Sequence, residues 1–449
     1  MKEKMKIKPY LIIGSLIFGM IFGAGNLVFP VHLGQIAGRN WGSAAAGFIL
    51  SGVLLPLLAL LSLSVTKTKG LYELSRPVGD RFAVAFLIFV NLAIGPLCAT
   101  PRTATVPYTV GIAPFLSPHL QGVGLVIYTG LFFLLTYYFA TMDGGITEII
   151  GKILNPAFLV MLFVIFLMAF IHPMGKLSAP QPTAEYLHQS FTNGVLQGYN
   201  TMDTLAMLIF GVTIIAAVRE MGFSENQVPL ATIRGGLVAV IGVGLIYLCL
   251  IYLGTTSRTP FAIASNGGTT LNQVAHYYLG IVGNVLLCTL ATVTCLTTAM
   301  GLVVSFSKDF HQRFPKISYK AFLRIVSLVS FAIANLGLDK IVSWSAPFLM
   351  LIYPLSIVLV LCGLLSRLFE NNAWVYRFAM VFTAIPAIFD AVKSIPVKAG
   401  VVTGMTNFAS ANLPLFDLGF AWMPFALLGF VIGMVAWRIE RYNINKQVG

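Results

Sequence analysis

The chain has 449 residues, of which 57% are apolar and only 10% charged, and its mean hydropathy is +0.87. That composition excludes a soluble globular domain and places the chain among polytopic membrane proteins. The net charge of +13 does not call for nucleic acid, because the basic residues sit on short connections between apolar runs, facing anionic lipid. Cys98, Cys249, Cys288, Cys295 and Cys362 all fall inside apolar runs without metal-pair spacing, which excludes a disulfide framework or a metal cluster.

The hydropathy pattern predicts an all-α integral membrane protein with about 12 spans. They lie at 10–33, 42–66, 82–111, 122–141, 146–171, 195–218, 232–257, 278–306, 322–337, 341–365, 374–395 and 414–437. No cleavable signal is expected, since the basic start leads into an apolar run lacking a small-residue cleavage site. Lys2, Lys4, Lys6 and Lys8 precede the first span; Lys67, Lys69, Arg76 and Arg81 follow the second. Lys308, Arg313, Lys316, Lys320 and Arg324 follow the eighth, and Arg438, Arg441 and Lys446 close the chain. The alternate connections carry only Arg39, Lys176, Arg258, Lys340, Lys393 and Lys398. This bias predicts a multi-pass protein of the cell (inner or plasma) membrane with both termini in the cytoplasm.

The first span is interrupted by Gly23, Gly25 and Asn26 and closed by Pro30, all poor helix formers. In hydrocarbon a free backbone N–H or C=O is costly unless something satisfies it. The break therefore marks either a polar ligand or ion site or a glycine-lined packing face. Span two is plain, with Pro56 as its kink, and a small interfacial helix is expected within 70–80. Span three carries Gly95-Pro96 and then Pro101-Arg102; an intramembrane arginine needs a partner. A polar turn at 141–147 joins spans four and five.

Span six opens with Gly198-Tyr199-Asn200-Thr201-Met202-Asp203, a second interruption with a carboxylate inside the bilayer. Spans one and six each begin a set of five, and paired interruptions in two halves point to a transporter's binding site. Before span eight, Asn266-Gly267-Gly268 forms a turn with Thr269 as the predicted N-cap. In span eight Thr294, Thr297 and Thr298 share one face. They serve either a ligand or merely back-bonding to their own helix. Asp390 lies near the outer end of span eleven.

Several of these stretches carry a resemblance. Gly23-Ala24-Gly25-Asn26-Leu27-Val28-Phe29-Pro30, with Gly34 and Ala37-Gly38 after it, resembles the opening helix of the branched-chain amino acid:cation symporter family, the LIV-II or BrnQ carriers. So do Gly95-Pro96, Pro101-Arg102-Thr103-Ala104-Thr105-Val106, the run from Gly198 through Ala206, and Leu296-Thr297-Thr298-Ala299-Met300-Gly301-Leu302. Thr109 stands where some members carry Glu, and without that carboxylate the expectation leans toward Na⁺. The family in turn looks like the amino-acid transporters of the LeuT fold.

The resemblance implies one transmembrane domain, 1–449. It would hold a first five-helix repeat at 10–171, an inverted second at 195–365, and two additional helices at 374–437. Helices one and six would be broken. It also implies a secondary active symporter importing leucine, isoleucine and valine with Na⁺. The alternatives are H⁺ coupling or another small neutral amino acid as cargo. Amides of Ala24 and Gly25 would meet the substrate carboxylate, with Asn26 orienting the break. Carbonyls of Ile21 and of the Gly198, Tyr199, Asn200 and Thr201 turn would meet the ammonium. Carbonyls of Gly19, Phe22 and Thr294 with hydroxyls of Thr297 and Thr298 would hold Na⁺, all hard oxygen ligands. Apart from the resemblance, Arg102 and Asp203 lie at similar depths from the outer ends of their spans, which suggests a gating ion pair, or a link through water, that closes the outer pathway. No cofactor, no nucleic acid and a monomer are expected, with lipid and the small-molecule substrate as partners. An intramembrane enzyme would need a constellation such as His-Glu-x-x-His or Gly-x-Ser-x-Gly, and a channel a repeated filter; the sequence offers neither.

Overall fold

Helix is the only regular structure among the described residues, as hydrocarbon requires of a backbone that must satisfy its own polar groups. A computed structural model describes residues 7–142, 145–397 and 399–448. Lys2, Lys4, Lys6, Lys398 and the Asp143-Gly144 part of the fourth connection lie outside the described residues.

Helices α1 (Lys8–Ile21) and α2 (Ala24–Ala37) make the first expected span, and α3 (Trp41–Ile49) and α4 (Leu55–Thr66) the second. A π-helical turn at Leu50–Leu54 joins the latter pair, just ahead of Pro56, which has no N–H to continue the α ladder. The short α5 (Leu71–Ser75) falls within 70–80, where a small helix is expected. The third span is itself interrupted. α6 (Asp80–Leu92) and α7 (Ala99–Gly111) are separated by a π turn at Ala93–Leu97, where Gly95 leaves helical geometry at ψ −120°.

Then come α8 (Pro118–Thr141), α9 (Gly145–Ile171), α10 (Ser190–Tyr199), α11 (Asp203–Glu220) and α12 (Val228–Ser257). The long α13 (Gly267–Arg313) bends at Gly280, whose φ of +60° suits a residue without a Cβ. Its N-cap is Asn266, not Thr269: the Asn266 side chain accepts the Thr269 N–H at 3.1 Å. The chain ends with α14 (Tyr319–Ala334), α15 (Leu338–Leu364), α16 (Ala373–Lys393), α17 (Gly400–Asn412) and α18 (Trp422–Val448). α17 was not legible as an element because its small and polar residues carry no apolar run.

Each of the twelve expected spans falls mostly on helix, although the last, expected from 414, begins only at Trp422 after a turn. By length and apolarity alone, however, eight helical stretches among the described residues can cross a membrane, or nine with the bent pair α10–α11 counted as one. The difference arises because the first two expected spans count as one stretch, Ala24–Thr66, α14 is only 16 residues long, and α9 counts only over Leu159–Ile171.

Glycines set the closest crossings. A Cβ at Gly34 would lie 2.1 Å from the Ile251 carbonyl and one at Gly254 would lie 1.9 Å from the Val31 carbonyl, so α2 and α12 touch backbone to backbone. α3 and α10 do the same through Gly47 and Gly194, at 2.0 and 2.1 Å from the facing Phe191 and Ala44 carbonyls. Small residues permit this approach where lipid supplies no hydrophobic drive. These two crossings clamp the half-helices on either side of the breaks.

Candidate functional site

The first break is a gap of two residues. α1 stops at Ile21, Phe22 and Gly23 are extended, and α2 starts at Ala24. It lies slightly earlier than residues 23–26, because Asn26 works as a cap from inside α2. Its Oδ1 accepts the Gly23 N–H at 2.9 Å, and its own N–H donates to the Gly23 carbonyl at 3.2 Å. The Gly23 amide is thereby taken from the Gly19 carbonyl it would reach in a continuous helix. Among the described residues the carbonyls of Gly19, Met20 and Ile21 and the N–H groups of Ala24 and Gly25 have no backbone partner. Two free donors at a helix N-terminus with its partial positive charge form an anion-binding end.

The second break is closed differently. α10 ends at Tyr199, and the N–H groups of Asn200, Thr201 and Met202 turn back to Gln197, Gly198 and Tyr199 at 3.1, 3.2 and 3.1 Å. Met202 then adopts left-handed geometry at φ +60°, which costs a non-glycine residue roughly 1–2 kcal/mol. α11 restarts at Asp203, bent by 44° from α10. The Asn200 carbonyl freed by the turn accepts from the Arg102 guanidinium at 2.9 Å. A cation at a helix C-terminus is electrostatically favourable. Arg102 also donates to Ser345 Oγ on α15 and lies 5.3 Å over the Phe29 ring.

A buried three-way contact ties the two breaks together. Asn26 Nδ2 donates to Asp203 Oδ2 at 2.7 Å and to the Tyr247 hydroxyl, which donates to the same Oδ2 at 3.1 Å. All three side chains are buried. Arg102 and Asp203 therefore do not form the direct pair expected from their matching depths. The guanidinium is turned to the α10 end and to α15, and the carboxylate to α2 and α12. Neither charge has an ion-pair partner among the described residues.

Between the breaks lies a cavity of about 80 Å³. Of the predicted substrate residues, Ile21, Ala24, Gly25, Asn26, Asn200 and Thr201 line it, together with Arg102, Asp203 and Thr298. Gly198 and Tyr199 do not. A Cβ at Gly198 would lie 2.0 Å from Ser51 Oγ, so this glycine is there for the α3–α10 approach. Tyr199 is stacked on Tyr353 with centroids 4.1 Å apart. The predicted cation ligands are only partly assembled. Thr297 and Thr298 hydroxyls both donate to the Thr294 carbonyl, at 2.8 and 3.0 Å, which saturates that oxygen. Gly19 and Phe22 lie beside the break without lining the cavity.

Sequence reasoning missed Tyr247, Ser345, Thr103 and Met202. Tyr247 is one of two tyrosines, with Tyr252, in an apolar run, a signal that gains meaning only once its facing helix is known.

This geometry has relatives. The family model described as "Branched-chain amino acid transport protein" matches residues 6–440. The chain belongs to that family. It is 40% identical over 427 residues to the branched-chain amino acid permease BrnQ of Lactobacillus delbrueckii subsp. lactis, covering 94% of this chain and 95% of the relative. The permease BraB of Bacillus subtilis is 39% identical, with 97% of each chain covered. The branched-chain amino acid transport system 2 carrier protein of Pseudomonas aeruginosa is 37% identical, with 96% of each covered. Among solved structures, the chain is similar to Mhp1, a nucleobase-cation-symport-1 family transporter. The closed, bromovinylhydantoin-bound form matches with a TM-score of 0.61 at 11% identity, covering 96% of this chain and 92% of that one. The inward-facing form matches with a TM-score of 0.62 at 12% identity, over 96% and 91%. The fold is thus that of the LeuT-like transporters, and the chain is a multi-pass membrane transporter and not an enzyme.

Proposed function

We propose that the protein is a secondary active symporter that imports leucine, isoleucine and valine together with Na⁺. The observation that carries this reading is the first break. It presents the Ala24 and Gly25 amides to the same cavity that Asn200, Thr201 and Asp203 line, while the relatives are named for branched-chain amino acids. The substrate carboxylate would sit on the α2 N-terminus and the ammonium near the freed Ile21 carbonyl and the second break. A neutral side chain suits the remaining walls, which include Met20, Ile94, Ala206, Phe210 and Leu302. At about 80 Å³ the cavity is smaller than the ~150 Å³ void that admits a benzene-sized molecule. Substrate entry would therefore require the half-helices to move apart.

For the cation, Thr298 is the predicted ligand that reaches the cavity. Its hydroxyl donates to Thr294, yet its lone pairs remain available to Na⁺, and the unpaired Gly19, Met20 and Ile21 carbonyls lie on the facing half-helix. H⁺ coupling is favoured by one separate observation: Asp203 is buried with neutral partners only. Radiolabelled leucine uptake into proteoliposomes decides between them. Accumulation driven by an imposed Na⁺ gradient at equal pH supports the Na⁺ reading; accumulation driven solely by a pH gradient replaces it with H⁺.

A further inference from the structure

α16 carries a carboxylate that the central cavity does not use. Asp390 is 2% exposed, and neither carboxylate oxygen has a hydrogen-bond partner among the described residues. Lys393, one turn further along the helix, is not its ion-pair partner. The Lys393 ammonium donates to the Phe416 and Asp417 carbonyls at 3.2 and 3.1 Å and lies 4.9 Å over the Phe416 ring.

Asp390 lines a cavity of about 370 Å³ beside the turn that leads into α18, sharing no lining residue with the central one. The charged groups around it are Lys393 on its own helix, Glu185 ahead of α10, and Asp417 in the turn before α18. From α15 the cavity receives only Met350. On α10 the nearby titratable group is the Tyr199 hydroxyl, which is also buried without a partner. Three carboxylates against one ammonium leave the walls at a formal charge of −2, with Gln189, Asn193 and Ser394 adding neutral oxygens.

An ionised carboxylate enclosed without hydrogen bonds or a counter-charge is strongly disfavoured; it either finds a cation or takes up a proton. We propose that this cavity is a second cation site, in which one positive charge neutralises Asp390, carried by an alkali ion or by a proton on the carboxyl. Its volume equals roughly a dozen waters at about 30 Å³ each, enough for a partly hydrated ion.

The test uses the purified full chain in lipid nanodiscs. Radiolabelled Na⁺ binding is measured at fixed pH, and infrared difference spectra are recorded between acid and alkaline pH. Asp390→Asn should remove either one bound Na⁺ per chain or one protonated-carboxyl stretch. The first outcome identifies an alkali ion and the second a proton, while Asp390→Glu should restore the lost signal. Asp390→Asn with Na⁺ stoichiometry and carboxyl bands both unchanged overturns the proposal. If Asp390→Asn does not fold, the double variant Glu185→Gln/Asp417→Asn decides. Loss of two nearby negative charges should weaken Na⁺ or proton uptake by at least about threefold; an unshifted midpoint overturns it.

Discussion

The two interrupted helices meet at one cavity, yet they are held open by different means. At the α1–α2 break the cap comes from within, since Asn26 on α2 closes on Gly23 and leaves the next two amides free. At the α10–α11 break the backbone closes on itself through three short-range bonds, and its loose carbonyl is occupied by Arg102 from α7. The first break thus presents donors toward a ligand, whereas the second is already satisfied by protein. An amino acid bound between them would be fixed chiefly by its carboxylate on the first, with the second supplying shape.

Asn26→Ala strikes the comparison hardest. It removes the cap of the first break and both donors to Asp203 and Tyr247, leaving a buried carboxylate underbonded. Leucine uptake should fall by at least about a hundredfold, close to 2.7 kcal/mol. Uptake within about threefold of wild type, at equal membrane abundance, would mean that the first break is not held by this side chain.

Arg102→Gln tests the second break and should cost about tenfold in uptake, about 1.4 kcal/mol, because Gln can still reach a carbonyl but brings no charge. Since Arg102 and Asp203 are committed to different partners, the unfolding free energies lost by Arg102→Gln and Asp203→Asn should add to within about 0.5 kcal/mol. A markedly sub-additive double variant would restore the direct pair that the sequence suggested.

Smaller effects separate the two threonines. Thr298 lines the cavity and Thr297 does not, although both back-bond to Thr294. Thr298→Ala should raise the half-saturating Na⁺ concentration for leucine uptake about tenfold, and Thr297→Ala by less than about twofold, within the range of a surface change. Equal shifts at both positions would place the cation elsewhere.

Much of this was legible in the sequence because membrane chemistry makes polarity conspicuous. Gly23, Asn26, Arg102, Asn200 and Asp203 stood out against hydrocarbon, and the cavity gathers their surroundings. What stayed hidden depended on helix rotation and register. Gly198 looked like part of the break but serves an interhelical crossing, and Tyr199, its neighbour, faces Tyr353 instead of the cavity. Matching depth suggested an Arg102–Asp203 pair, yet depth says nothing about which face each residue occupies. Tyr247 and Ser345 complete the polar contacts from helices whose facing partners no local pattern reveals.

The most direct test is competition for radiolabelled leucine bound to the purified transporter. The competitors are leucine amide, which lacks the carboxylate, and 4-methylpentanoate, which lacks the ammonium. Capture of the carboxylate by the Ala24 and Gly25 amides predicts that leucine amide competes at least about a hundredfold more weakly than leucine, a loss near 2.7 kcal/mol. 4-Methylpentanoate should retain part of the affinity. Leucine amide competing as well as leucine would contradict the assignment of the first break as the carboxylate site.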